Sequence, residues 1–145
     1  VRLVVQRVTH AKVQVGNVII GQIEKGFMVL VGIRAGDTRQ QAEFLAKKLC
    51  NLRIFEDENE KMNLSIQDVK GKILAISQFT LYADCKKGNR PSFVFAEEPE
   101  RANELYEYFM EQCKKEGIDV EKGKFGAHME VSLLNNGPVT IILEK

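Results

Sequence analysis

Tryptophan is absent from the 145 residues, and histidine, proline and cysteine are scarce, at two, three and three. Each scarcity excludes something. The cysteines, Cys50, Cys85 and Cys113, are odd in number, widely spaced and form no CxxC. That pattern fits free thiols in a reduced, cytoplasmic protein and supports neither a disulfide framework nor a zinc site. With only His10 and His128 there is no HExxH, and neither a P-loop nor a GxGxxG is present. Metal-dependent protease, nucleotide-triphosphate and dinucleotide chemistry therefore lack motif support, and no cofactor or metal is expected. The absence of GxSxG leaves a conventional serine triad without its elbow. No apolar run approaches the ~20 residues of a membrane helix. The opening Val1 to Val8 carries charges inside its apolar run and no cleavage site, so no signal peptide and no membrane partner are expected. Without a linker, a repeat or a low-complexity stretch, residues 1–145 read as one domain, a length that can bury its own core.

An excess of one charge is missing too. Lys plus Arg number 21 against 20 for Asp plus Glu, a net charge of +1. A protein that coats nucleic acid along its length needs a large positive excess, so DNA is not an expected partner. A local basic patch that grips one end of an RNA remains compatible with this balance.

What is present is a sequence of strands with two helices. Leu3 to Val8 is apolar and β-branched, interrupted by Gln6 and Arg7. Ala11 to Val15 alternates with period two, Gly16-Asn17 marks a turn, and Val18 to Ile20 starts a return strand. Phe27 to Ile33 is a continuous apolar run, expected where both faces are covered. Thr38 and Gln41 have the spacing of a capping box, followed by Ala42, Leu45, Ala46 and Leu49 on one helical stripe. A second helix starts near Pro99 among Glu97, Glu98 and Glu100, and buries Ala102, Leu105, Tyr106, Phe109, Met110 and Cys113. Lys114, Lys115 and Gly117 suit its end. Lys72 to Ala83 begins as a buried strand. Met129 to Leu134 and Val139 to Leu143 read as two strands around a tight turn at residues 135–138. The pattern predicts a mixed α/β (α+β) single domain in three layers, with β-sheets packed on each other and two main helices on one side.

Three segments carry candidate chemistry. Ser77-Gln78-Phe79-Thr80-Leu81 places polar side chains at the end of a buried strand. It is either an ordinary strand with solvent-facing polar residues or a strand end whose N–H groups face a developing oxyanion. Asn135-Asn136-Gly137-Pro138-Val139-Thr140 has turn composition, and its Gly-Pro bond is of the kind that can be cis. Lys86-Lys87-Gly88-Asn89-Arg90-Pro91 is a basic loop that either is simply solvated or contacts phosphates. His10 and His128 read as solvated imidazoles, and Glu56 to Glu60 as a solvated loop without calcium-loop spacing.

Taken together these segments resemble the D-aminoacyl-tRNA deacylases, also called D-tyrosyl-tRNA deacylases. The two signature motifs are Ser77 to Leu81 and Asn135 to Thr140. Support comes from Val4-Val5-Gln6-Arg7-Val8, Lys86 to Phe93 and Lys124-Phe125-Gly126-Ala127-His128-Met129, so the likeness spans the chain. Two departures stand at His128 and Asn136, where an acidic residue is more usual.

The resemblance implies a homodimer that hydrolyses the ester joining a D-amino acid to the end of tRNA. Ser77, Gln78, Phe79 and Thr80 would form the catalytic strand end. Gly137 and Pro138 would form a cis motif that enters the other subunit's site and screens the substrate's chiral centre. Phe125 and Met129 would take the adenine, and Lys86, Lys87 and Arg90 the tRNA phosphates. The acceptor end would carry a D-amino acid or glycine, since glycine has no side chain to reject. Two other classes are weighed beside this one: an RNA-end-binding module without catalysis, and a thiol hydrolase built on Cys85.

Overall fold

The computed structural model describes all of residues 1–145. Eight strands and two helices follow one another as β1 (Arg2–Val15), β2 (Val18–Ile23), β3 (Gly26–Gly32), α1 (Arg39–Asn51), β4 (Phe55–Glu56), β5 (Met62–Leu64), β6 (Lys72–Ser77), α2 (Pro99–Lys115), β7 (Val120–Lys122) and β8 (Glu130–Glu144). A 3-10 turn, Phe79–Tyr82, follows β6 directly.

The helices form where their end signals stand. The side-chain carbonyl of Gln41 accepts from the Thr38 N–H at 2.7 Å, and α1 buries Ala42, Leu45, Ala46 and Leu49. Pro99 opens α2, whose missing N–H costs nothing in a first turn. Lys114 and Lys115 close it against the negative end of the helix dipole.

Six strands make one sheet. Its order is β2-β1-β3-β6-β7, with β8 also paired to β1. β3, β6 and β7 run parallel; the remaining pairs are antiparallel. Period-two alternation divides β3 and β6 between two cores. Phe27, Val29, Val31, Ile73 and Ala75 face the helices, while Met28, Leu74 and Ile76 face the opposite side. β1 changes sides along its length: Leu3 and Val5 lie in the helix-side core, Val8, Ala11 and Val13 in the other. The sheet therefore bends over itself. Gly21 of β2 comes so close to β6 and β7 that a Cβ there would sit 2.8 Å from the Lys122 carbonyl oxygen. The fold class is the expected one, and its two packed β layers are two halves of a single hydrogen-bonded sheet.

Two local expectations differ. The N-terminal strands are one 14-residue strand, continuous through Thr9 and His10. At the other end of the chain, residues 135–138 do not turn it back on itself. β8 keeps its direction, and its pairing jumps from Thr140 opposite Gln6 to Asn135 opposite Val8. The residues between bulge out of the ladder. Asn135 closes the bulge, donating to the carbonyls of Arg7 and Val139 at 3.0 Å each. A side chain that satisfies backbone acceptors on both strands removes the need for a hairpin.

Candidate active site

Parallel strands end on the same side, and ligand crevices of α/β sheets lie outside those carboxyl ends. β3 and β6 stop in register, Val31 opposite Ser77, and the Gln78 N–H donates to the Val31 carbonyl at 2.8 Å. The chain then tightens into the 79–82 turn. Gly32 permits this, since a Cβ there would lie 3.0 Å from that of Leu81. Arg2 fixes the far end of the turn, donating from Nη1 to the Leu81 carbonyl at 2.6 Å and lying 4.7 Å from the Tyr82 ring centroid. Tyr82 is buried beneath, and loss of solvent, with Asp37 nearby, pushes its phenol up to about 12.

A cavity of about 560 Å³ opens at this point. Ser77, Gln78 and Phe79 form one wall, and Phe93 stands beside them with its ring edge-on to Phe79, centroids 5.0 Å apart. The start of α2 contributes Glu98, Pro99 and Ala102. The loop from Phe125 to Met129 forms the remaining wall. That loop is held by the Lys124 N–H, which donates to the Met129 sulfur at 3.4 Å, and by Phe125 packing on Tyr106. Tyr106 in turn donates to the Ala75 carbonyl at 2.7 Å, which ties α2 to β6 two residues before Ser77.

The polar wall has distinct chemistry. The N–H groups of Phe79 and Thr80, first in their turn, donate to no acceptor within the protein. The Gln78 side-chain amide donates to the Thr80 hydroxyl. Thr80 is exposed, lies outside the cavity lining, and has no carboxylate or imidazole among its hydrogen-bond partners. The ionisable groups that line the cavity are Glu97, Glu98 and His128. Glu97 is occupied structurally, accepting from the N–H groups of Gly36 and Glu98 at 3.2 and 2.9 Å. No three His, Cys, Asp or Glu side chains converge on a metal-sized site. The arrangement offers two unpaired N–H donors beside an amide, at the rim of a largely apolar cleft. That suits an acyl oxygen that gains negative charge.

The structure thus gathers Ser77, Gln78, Phe79, Phe125 and Met129 around one cavity. It leaves Lys86, Lys87 and Arg90 outside the lining, on an exposed loop closed by reciprocal Asp84–Ser92 backbone bonds of 2.7 and 2.9 Å. Gly137 and Pro138 are also absent from the cavity of their own chain. They are exposed on the β8 bulge, joined by a cis peptide bond. Two residues given no role from sequence stand beside these segments. Phe93 lines the cleft, and its one signal was its place after the basic loop. Arg7, which looked like a polar interruption of β1, is only 4% exposed. Its Nε donates to the Asn136 carbonyl at 3.2 Å and its Nη1 to the Ile54 carbonyl at 2.7 Å, directly behind Gly137.

The family model described as D-Tyr-tRNA(Tyr) deacylase matches residues 4–144. The chain belongs to this family. A D-aminoacyl-tRNA deacylase of Exiguobacterium sibiricum is 56% identical over 144 residues, covering 99% of both chains. The enzyme of that name from Thermosipho africanus is 52% identical over 143 residues, covering 99% of this chain and 96% of its own. Among solved structures, the c-Myc DNA Unwinding Element Binding Protein superposes with a TM-score of 0.93 at 44% identity, covering 100% of this chain and 99% of its own. A probable eukaryotic D-amino acid tRNA deacylase superposes with a TM-score of 0.83 at 18% identity, covering 98% and 97%, and shares the fold.

Proposed function

We propose that the chain, as a D-aminoacyl-tRNA deacylase, hydrolyses the ester between a D-amino acid and the terminal adenosine of tRNA in a site that two copies build. One observation carries the second half of this reading. The cavity that holds Ser77, Gln78 and Phe79 contains neither Gly137 nor Pro138, which stand exposed on the bulge of β8. A second copy is the source that can bring them to it. β8 pairs only with β1, so its other edge is open, and Leu134 and Ile142 on it are 52% and 63% exposed. An open, partly apolar edge is a surface that a homodimer covers.

In this scheme the Phe79 and Thr80 N–H groups hold the carbonyl oxygen of the ester as it becomes an oxyanion. Water attacks, assisted by the ribose hydroxyl of the tRNA itself, because no general base stands beside the Thr80 hydroxyl. Gln78 bonds the ester or ribose, and Ser77 orients the strand end. Phe125 and Met129 receive the adenine. The carbonyls of Gly137 and Pro138 of the partner subunit accept from the substrate ammonium and meet an L side chain as a clash. Glycine has no side chain to reject, so mischarged glycyl-tRNA(Ala) is a second substrate. Lys86, Lys87 and Arg90 approach the phosphates of the acceptor end. Three free cysteines support a reducing compartment, the cytoplasm, for this chemistry, and no helix is long and apolar enough to cross a membrane.

The test is release of amino acid from D-Tyr-tRNA, L-Tyr-tRNA and Gly-tRNA(Ala), with the assembly mass measured in parallel. Expected are a dimer, turnover of the D and glycyl substrates, and an intact L-substrate. The measurement is repeated with Cys85→Ser. Affinity without turnover would leave an RNA-end-binding module. Activity lost with the cysteine would leave a thiol hydrolase.

A further inference from the structure

The cleft takes the end of a tRNA, but nothing so far holds its stem. The exposed stripe of α1 does not resemble an idle helix surface. Phe44, Lys47, Lys48 and Asn51, spaced i, i+3, i+4 and i+7, line a groove of about 430 Å³ with Leu52 and Arg53. Three of the six lining side chains are cations and none is an acid. The chain as a whole is nearly neutral at +1, so this is local enrichment.

No carboxylate pairs with these cations. None of Lys47, Lys48 and Arg53 takes part in any of the chain's ion pairs. Two neighbouring carboxylates are engaged elsewhere: Glu43 accepts from the Tyr108 hydroxyl at 3.2 Å, and Glu56 faces Arg7 at 3.7 Å. Arg53 is held in place by Asn63, donating from Nε to its carbonyl at 2.9 Å and from Nη2 to its side-chain oxygen, which leaves Nη1 for a phosphate. Phe44 is 46% exposed, with the ammonium groups of Lys48 and Lys145 at 5.9 and 4.7 Å from its ring centroid. Cations without carboxylate partners, beside an open aromatic ring, form a surface complementary to a phosphodiester backbone.

The position of the groove gives it a partner. Arg53 precedes Ile54, whose carbonyl holds Arg7, and Arg7 holds Asn136 beside Gly137. The groove and the Gly137-Pro138 bulge are thus joined through one buried side chain. We propose that this groove binds the sugar-phosphate backbone of the tRNA stem, and does so for the tRNA whose end lies in the partner subunit. The assignment to the partner's tRNA rests on the reading above, in which the bulge enters the other copy's site. Wherever the bulge goes, the groove goes with it.

The experiment compares Lys47→Ala/Lys48→Ala with Lys114→Ala/Lys115→Ala, a control that removes the same charge from the end of α2. Binding of uncharged tRNA is followed by fluorescence anisotropy across a salt series. D-Tyr-tRNA and D-Tyr-adenosine are the kinetic substrates. For the α1 variant the expected result is about tenfold weaker tRNA binding at physiological salt. Its log–log salt slope should be shallower by ~2, about one per lysine. D-Tyr-adenosine hydrolysis should change less than the tRNA reaction by a similar factor, since that substrate has no stem. Unchanged affinity and slope would overturn the proposal, as would an equal loss in the control pair. A DNA duplex that displaces tRNA one for one would overturn the assignment to RNA. If the wild type releases tyrosine from neither substrate, the deacylase reading fails, and the binding series still decides the groove.

Discussion

Arg7 stands behind Asn136. Its Nε reaches the Asn136 carbonyl at 3.2 Å while Nη1 reaches that of Ile54 at 2.7 Å, and the side chain is almost wholly buried. A planar fork with fixed donors can serve two carbonyls on different segments at once; a lysine ammonium at the same depth cannot reproduce both directions. Arg7→Met keeps much of the apolar stem and leaves the buried Ile54 carbonyl without its donor. The expected cost is ~1–3 kcal/mol of stability. A bulge that has lost its support is also misplaced, and turnover of D-Tyr-tRNA should fall by about 10²-fold. Thermal unfolding and single-turnover deacylation check both. Wild-type turnover in a folded Arg7→Met protein would show that the bulge positions itself without Arg7.

Gly137 adopts φ +125°, where an L side chain is strained, and a Cβ would meet Val139 Cγ2 at 2.8 Å and Arg7 Nη2 at 3.1 Å. Gly137→Ala must therefore shift the bulge or push Arg7 aside. Strain of this kind costs ~1–3 kcal/mol. The clash touches only the margin of the helix-side core, at Val139, so the protein should still fold. Deacylation of the D-substrate should drop more than stability does, and that split is the measurement. Equal activity in Gly137→Ala would remove the bulge from the site.

Thr80 tests how the oxyanion is held. Its hydroxyl takes the Gln78 amide and its N–H is free. Thr80→Ala removes the first and keeps the second, so kcat should stay within about tenfold of wild type. Loss of the 10²–10³-fold associated with a missing oxyanion donor, or more, would assign catalysis to the hydroxyl.

Much of this fold could be read along the chain because the deciding interactions are local. Thr38 and Gln41 are three residues apart, and Pro99 announces α2 by itself. The two long strands could not be read in this way. Whether β1 continues through His10, or β8 through Asn135, is settled by partners more than 100 residues away: His10 pairs with Leu134, and Asn135 donates to the Arg7 carbonyl. The site divides along the same line. Ser77 to Thr80 and Phe125 to Met129 are contiguous motifs. Arg7, by contrast, finds its partners only when the bend of the sheet sets it against Ile54 and Asn136. Phe93 becomes part of the cleft only when the 79–82 turn brings Phe79 against it.

Tyr106 links the helix layer to β6, which leads into the cavity wall, through one buried bond to the Ala75 carbonyl, which also accepts from the Gly123 N–H at 3.2 Å. Tyr106→Phe removes the donor without opening space, and the carbonyl keeps its second partner. The loss should be ~1 kcal/mol. At this chain length that lowers the melting temperature by about 2–4 °C. A shift above 10 °C would mean that the hydroxyl organises more of the core than this one bond.

The buried phenols also set the alkaline limit of the fold. Burial, with Asp37 nearby, raises Tyr82 to about 12 from an ordinary 10, and burial raises Tyr106 further. Below pH 10 the folded and unfolded chains both keep these protons, and the stabilisation is fully present. Above pH 10 the unfolded chain releases them and the folded chain does not. Stability then falls by ~1.4 kcal/mol per pH unit for each such group, and the Tyr82 share is gone once pH passes 12. The native protein should therefore show little tyrosinate absorbance from Tyr82 and Tyr106 at pH 10–11. Above that, absorbance should rise steeply, together with loss of the near-ultraviolet circular dichroism of the packed rings. In Tyr106→Phe the same transition should begin at higher pH relative to that variant's own neutral stability, since one of the two linked protons is gone. A gradual titration of all three tyrosines centred on pH 10, with the dichroism intact, would show that solvent reaches the phenols in the folded state.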